Sequence, residues 1–210
     1  MKMIEMNDQA LAARVAAIAG RIGILGRLPP VARMVSAAEM RAASADPARP
    51  AGAKIWASGE LRELWWSETN PVTENALIHE LSHWLLATSA SAPQFPHDDA
   101  DVDGHGPLFA ALAWALAARV GVVSDHPRYD LGDDHKPGDR PADAVEERWA
   151  RRWARRPHEG TAEALAARAI RDYRRLCQLR AMVAAVMPFL RLAVALAAAM
   201  TATAALAHMI

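Results

Sequence analysis

The sequence predicts an α+β fold that is mostly helical, with a small sheet and a C-terminal helical extension. Three observations predict it. Several Ala- and Leu-rich segments carry apolar residues at helical spacing. Two short runs rich in Ile and Trp, Ala53 to Ala57 and Leu64 to Ser67, read as strands on either side of Ser58-Gly59. The chain then closes on a nearly continuous apolar run from Ala181 to Ile210. With 210 residues, 52% hydrophobic and 23% charged, the composition is that of a globular protein with a true core.

In chain order, Asp8 to Ala19 reads as an Ala-rich helix ending at Gly20, and Val31 to Ala43 as a second helix after a Gly/Pro link. Asp46 to Gly52, with Pro47 and Pro50, is a loop. The strand pair follows, although Glu60 to Trp66 also suits a helix. Asn70-Pro71 then predicts a helix start, because Asn caps well and Pro fits the first helical position. This helix should reach Ala87, with Glu74 in the first turn, where negative charge suits the dipole. Thr88 to Gly106 is a long polar loop. Leu108 to Val120, led in by Pro107, is apolar almost all round, as buried helices are. Ser124 to Ala142 is a Pro/Gly/Asp-rich link before two Arg-rich helices, Asp143 to Arg155 and Thr161 to Arg180.

The formal net charge is zero, so the whole molecule has no strong electrostatic preference for nucleic acid. Locally the balance differs: Arg148 to Arg191 holds eleven Arg against Glu159, Glu163 and Asp172. Cys177 is the only cysteine, which excludes an internal disulfide and a Cys-based zinc ribbon. Met1 to Gln9 lacks the basic-then-apolar order of a secretory signal.

The chemistry is concentrated at His79-Glu80-Leu81-Ser82-His83, an H-E-x-x-H pentad inside the helix after Asn70-Pro71. Two His at i and i+4 share a helix face, so both reach one metal ion. The intervening Glu is placed to take a proton from activated water. A catalytic zinc needs a third protein ligand and an open position. The candidates downstream are His97, Asp98, Asp99, Asp101, Asp103 and His105. His105 is favoured because it opens His105-Gly106-Pro107-Leu108-Phe109 at a helix entrance, where a ligand is better fixed than in a loop. His97 is its main rival, and Phe109 is placed to pack beside the site.

The pentad followed by H-G-P-x-F resembles the SprT-like zinc metallopeptidases, a branch of the zincins. The resemblance covers roughly Lys54 to Val120 and implies a zincin-like catalytic domain holding one Zn2+ on His79, His83 and His105, with Glu80 as catalytic base. Two departures stand out. The loop between His83 and His105 is longer than the family's usual gap, and the Cys-rich ribbon of bacterial relatives is absent, so DNA-linked proteolysis does not carry over. Ser89, six residues after His83, excludes the longer metzincin pattern.

The expected organisation is therefore as follows. Residues 1–52 are helices packing on the core, 53–122 the metal-binding catalytic core and 123–142 a linker. Residues 143–180 are Arg-rich helices and 181–210 an apolar helical segment. The expected activity is hydrolysis of protein or peptide substrates, with an extended substrate adding to the edge of the Ile55 or the Trp65 strand. No residue for stabilising an oxyanion is obvious; Tyr129, His126 and His135 are the candidates if their loop reaches the site. The alternative is a non-catalytic, metal-stabilised binding module that uses its basic, Trp-spaced helix and apolar tail on a partner or membrane.

Trp149 and Trp153, ringed by Arg148, Arg151, Arg152, Arg155 and Arg156, have the make-up of a nucleic-acid or anionic-surface helix. The neutral net charge favours instead a solvated helix docking its Trp stripe on the catalytic domain. Leu192 to Ile210 runs nineteen residues without a charge, long enough to span a bilayer, although nine are Ala. A helical hairpin, Ala181 to Met187 and Leu190 to Ala207, is the competing reading. The expected location is the cytoplasm, or alternatively a tail-anchored position with the catalytic part on the cytoplasmic side.

Overall fold

The computed structural model describes residues 6–26, 31–43, 53–55, 63–89, 106–122 and 144–207. The fold is α+β and mostly helical. The chain divides into two compact units, 1–170 and 171–210.

In the first unit, α1 (Asp8–Ile22) buries Leu11, Val15, Ile18 and Ile22 along one stripe. Asn7 caps its start by accepting from the Ala10 N–H at 2.9 Å. The helix runs past Gly20, the expected stop, and ends at Gly23, whose φ of 84° is the left-handed conformation that glycine takes without strain.

Val31 to Ala43 is not one helix. Its first part is β1 (Val31–Val35) and only Ala37–Ala43 is helical, as α2. Ser36 breaks the segment with a reciprocal cap: its Oγ accepts from the Glu39 N–H at 3.2 Å while Glu39 accepts from the Ser36 N–H at 2.9 Å. β2 (Ala53–Ile55) and β3 (Glu63–Ser67) form where two strands are expected, and the helical option for Glu60 to Trp66 is not taken within β3. The sheet order is β1-β3-β2, with β1 parallel and β2 antiparallel to β3. β3 is therefore central. Leu64 and Trp66 point into the core from it, while Arg33 lies 5.8 Å from the centre of the Trp65 ring.

Helix α3 (Glu74–Thr88) starts later than Asn70-Pro71 predicts. Asn70 is used up in a turn: its N–H donates to Ser67 O and its carbonyl accepts from Trp66 Nε1 at 3.0 Å. Thr73 is the cap instead, accepting from the Ala76 N–H. Arg21 pairs with Glu74, and Arg14 donates to Val72 O at 2.7 Å, so α1 holds the start of α3. Helix α4 (Pro107–Arg119) has Pro at its first position and is buried almost all round, from Leu108 to Ala117 apart from Trp114. α3 packs against α1, β2 and α4, and α5 (Ala144–Ala154) packs against α4. Trp153 is buried in this packing, and Arg151 sits 5.6 Å from the centre of the Trp114 ring.

Helix α6 (Ala162–Ala207) is continuous through Pro188, so the hairpin expected around that proline does not form. Its first residues lie in the first unit, where Ala162, Leu165, Ala166, Ala169 and Ile170 are buried. Glu163 accepts from the Leu25 and Gly26 N–H groups, and Arg119 donates to Ile22 O and His158 O. These bonds tie the ends of α1 and α4 to the start of α6. The second unit is the rest of α6. Leu179, Met182, Val183, Val186, Phe189, Leu190, Leu192, Val194 and Leu196 are all exposed along it.

Candidate metal centre

Leu77, Ile78, Leu81, Trp84, Leu85 and Leu86 bury α3 on several sides, so the helix is a rigid support for its remaining face. Ser82 is fully buried and spends its hydroxyl locally, donating to Ile78 O at 2.7 Å. On the remaining face stand His79 and His83. Their ring centroids are 5.0 Å apart and their planes are inclined by 71°. This is the juxtaposition that i and i+4 spacing predicts, and each ring is partly exposed.

Phe109, in the first turn of α4, contacts both rings. It stacks on His83 with centroids 4.1 Å apart and 24° between planes, and meets His79 edge-on at 4.9 Å. The sequence places Phe109 only near the site; in the structure it is the aromatic wall of it. Gly106 stands at the N-cap of α4 in extended conformation, and Pro107 follows. The α4 entrance therefore lies at the two imidazoles.

Glu80 is buried, and its Oε1 lies 4.0 Å from His79 Nε2. Burial pushes its carboxyl up to about 8, because the low-dielectric surroundings disfavour the charged form. A cation beside it would favour the carboxylate again.

The donor chemistry of this face suits a borderline metal such as zinc: two imidazoles and an adjacent carboxyl group that is not needed as a ligand. Among the described residues, no group of three or more His, Cys, Asp or Glu side chains is arranged to hold a metal ion. The expected third ligand, His105, lies outside the described residues. So do His97, Asp98, Asp99, Asp101 and Asp103, and Tyr129, His126 and His135.

The substrate-edge expectation is corrected in part. The Trp65 strand, β3, is paired on both sides and offers no edge, because β1 and β2 flank it. Among the described residues the Ile55 strand, β2, is an outer strand, and it packs against α3.

No protein-family model, no curated protein and no solved structure matches the chain.

Proposed function

We propose that the chain is a zinc-dependent metallopeptidase with a zincin-like catalytic unit. His79 and His83 would hold the ion, and His105, bonded directly to Gly106 at the α4 entrance, would complete the set. The observation that carries the reading is the convergence on one spot of both imidazoles, the Glu80 carboxyl and the first turn of α4. Zinc, when bound, supplies Lewis acidity that polarises the scissile carbonyl and acidifies water. Glu80 takes the proton of the attacking water and passes it to the leaving amine. β2 offers its outer edge to an extended peptide beside α3, so main-chain hydrogen bonds would align the substrate. Phe109 walls the site on the α4 side and keeps the imidazoles in place.

The α6 helix adds a location to this reading. An 18-residue window in its described part has mean hydropathy 2.1 and is not buried at all. By length and composition it can cross a membrane. The Arg-rich stretch before it would keep the catalytic unit on the cytoplasmic side.

Zinc content and casein cleavage of the wild type and Glu80→Gln test the activity. One zinc per chain in both, with cleavage lost by about 100-fold or more in the variant, is the expected result. Equal cleavage by both proteins would sink the reading. A metal-stabilised module without activity would instead unfold on chelation and keep its biological role in Glu80→Gln.

A further inference from the structure

We infer that the site acts on polypeptide segments held close to a membrane surface, such as the flanks of other membrane-spanning chains. This rests on both the peptidase reading and the membrane reading of α6. It follows from how little chain separates the two units.

Ile170 is the last residue of the first unit and is buried. Ala181 opens the apolar stretch. The ten residues between them are Arg-Asp-Tyr-Arg-Arg-Leu-Cys-Gln-Leu-Arg, with no Gly or Pro and helical throughout. As helix they span about 16 Å. Seating Arg191 near the interface leaves Ala181 to Met187 outside the bilayer as well; all seventeen residues pulled straight cover only about 60 Å, whatever the arrangement of the two units. A unit of this size is about 40 Å across, so nothing on it can work much beyond about 100 Å from the bilayer.

The joining segment is also adapted to the surface. Arg171, Arg174, Arg175 and Arg180 face only Asp172 as counter-charge within it. Arginines beside an anionic leaflet are drawn to its negative surface potential. From Ala181 to Ala207 the helix is about 40 Å long, more than the roughly 30 Å apolar thickness of a bilayer. That surplus lets Arg191, the sole charge in the stretch, sit within a turn of the interface and snorkel. Both imidazoles are only partly exposed and Glu80 is buried, so the site takes extended chain rather than a folded surface. Confinement to the bilayer raises the effective concentration of chain segments held there over those in bulk.

The test uses the full chain, zinc-loaded, in vesicles of phosphatidylcholine and phosphatidylglycerol. Flotation after an alkaline wash checks insertion. A single-span reporter carries one cleavable extended segment, either beside its own span or beyond a stiff helical spacer of about 120 Å. The near segment is expected to be cut about tenfold faster or more. A long Gly/Ser insertion between Arg180 and Ala181 is expected to narrow that ratio by extending the reach. Equal rates for near and far segments in the wild type overturn the inference and leave the peptidase reading standing. Failure to float overturns the membrane reading and this inference with it. No cleavage at either position, or equal cleavage by Glu80→Gln, overturns the peptidase reading and removes the ground for this one.

Discussion

The Phe109 ring lies on the His83 imidazole at 4.1 Å, nearly parallel to it, and so couples the first turn of α4 to the second histidine of the pentad. The same ring meets His79 edge-on, so one side chain restrains both imidazoles. Phe109→Leu keeps most of the volume but removes the flat face. Its zinc affinity is expected to fall about 10- to 100-fold, the usual cost of losing a group that orients ligands. Competition against a fluorescent chelator measures this. Phe109→Ala should in addition destabilise the fold by about 3–5 kcal/mol, because the residue is fully buried. Unchanged affinity in Phe109→Leu would show that the stacking is packing alone.

The proposed third ligand has a direct test. His105→Ala is expected to lower bound zinc well below one per chain after dialysis, whereas His97→Ala should leave it unchanged. The reverse pattern, read by elemental analysis, would move the ligand to His97.

Gly23 closes α1 at a φ of 84°, and a Cβ there would stand 3.2 Å from Arg119 Nη1. The same guanidinium donates to Ile22 O. Gly23→Ala therefore combines backbone strain with displacement of that hydrogen bond. A loss of about 1–3 kcal/mol is expected by urea unfolding in mild detergent. Gly20→Ala, with open space around its site and an ordinary helical position, should instead be neutral or stabilising by up to about 1 kcal/mol.

Glu163 gives the fold an acid-side dependence. Burial alone would raise its carboxyl, but its own backbone N–H and those of Gly26 and Leu25, with the Thr161 hydroxyl, prevail and hold it below the usual glutamate value. A carboxyl lowered in the folded state stabilises fully above its unfolded value. That contribution fades as pH falls through the folded value. The urea midpoint of the wild type should drop between pH 6 and roughly pH 3. Glu163→Gln should start lower and show a shallower drop, and parallel profiles for the two proteins would argue against this role.

Much of this was legible in the sequence, and the exceptions have local physical causes. The pentad implies two imidazoles on one face, and the rings stand 5.0 Å apart. Apolar periodicity locates α1, α3 and α4 to within a few residues, because buried stripes leave a repeating trace. The segment Val31-Ala-Arg-Met-Val35 misleads, since five residues are too few for alternation to outweigh the alanines that follow. The signal that resolves it is the Ser36-x-x-Glu39 box, which marks a helix start at Ala37. Asn70-Pro71 misleads because a turn and the Trp66 indole claim Asn70 first. Pro188 does not end α6, although it removes one backbone donor. Strand order is set by pairings distant in the chain, so neither strand's own residues reveal that β3 is central.

Helix α4 carries Phe109 on a shaft made largely of methyl groups: Ala110, Ala111, Ala113, Ala115 and Ala117 are all buried. Side chains this small let neighbouring helices approach closely and leave no slack to absorb extra atoms. The gauge of the candidate site is thus fixed by residues that carry no chemistry. Enlarging any one of them would shift the aromatic wall relative to the histidines, so the tolerances of the site extend well beyond the pentad that names it.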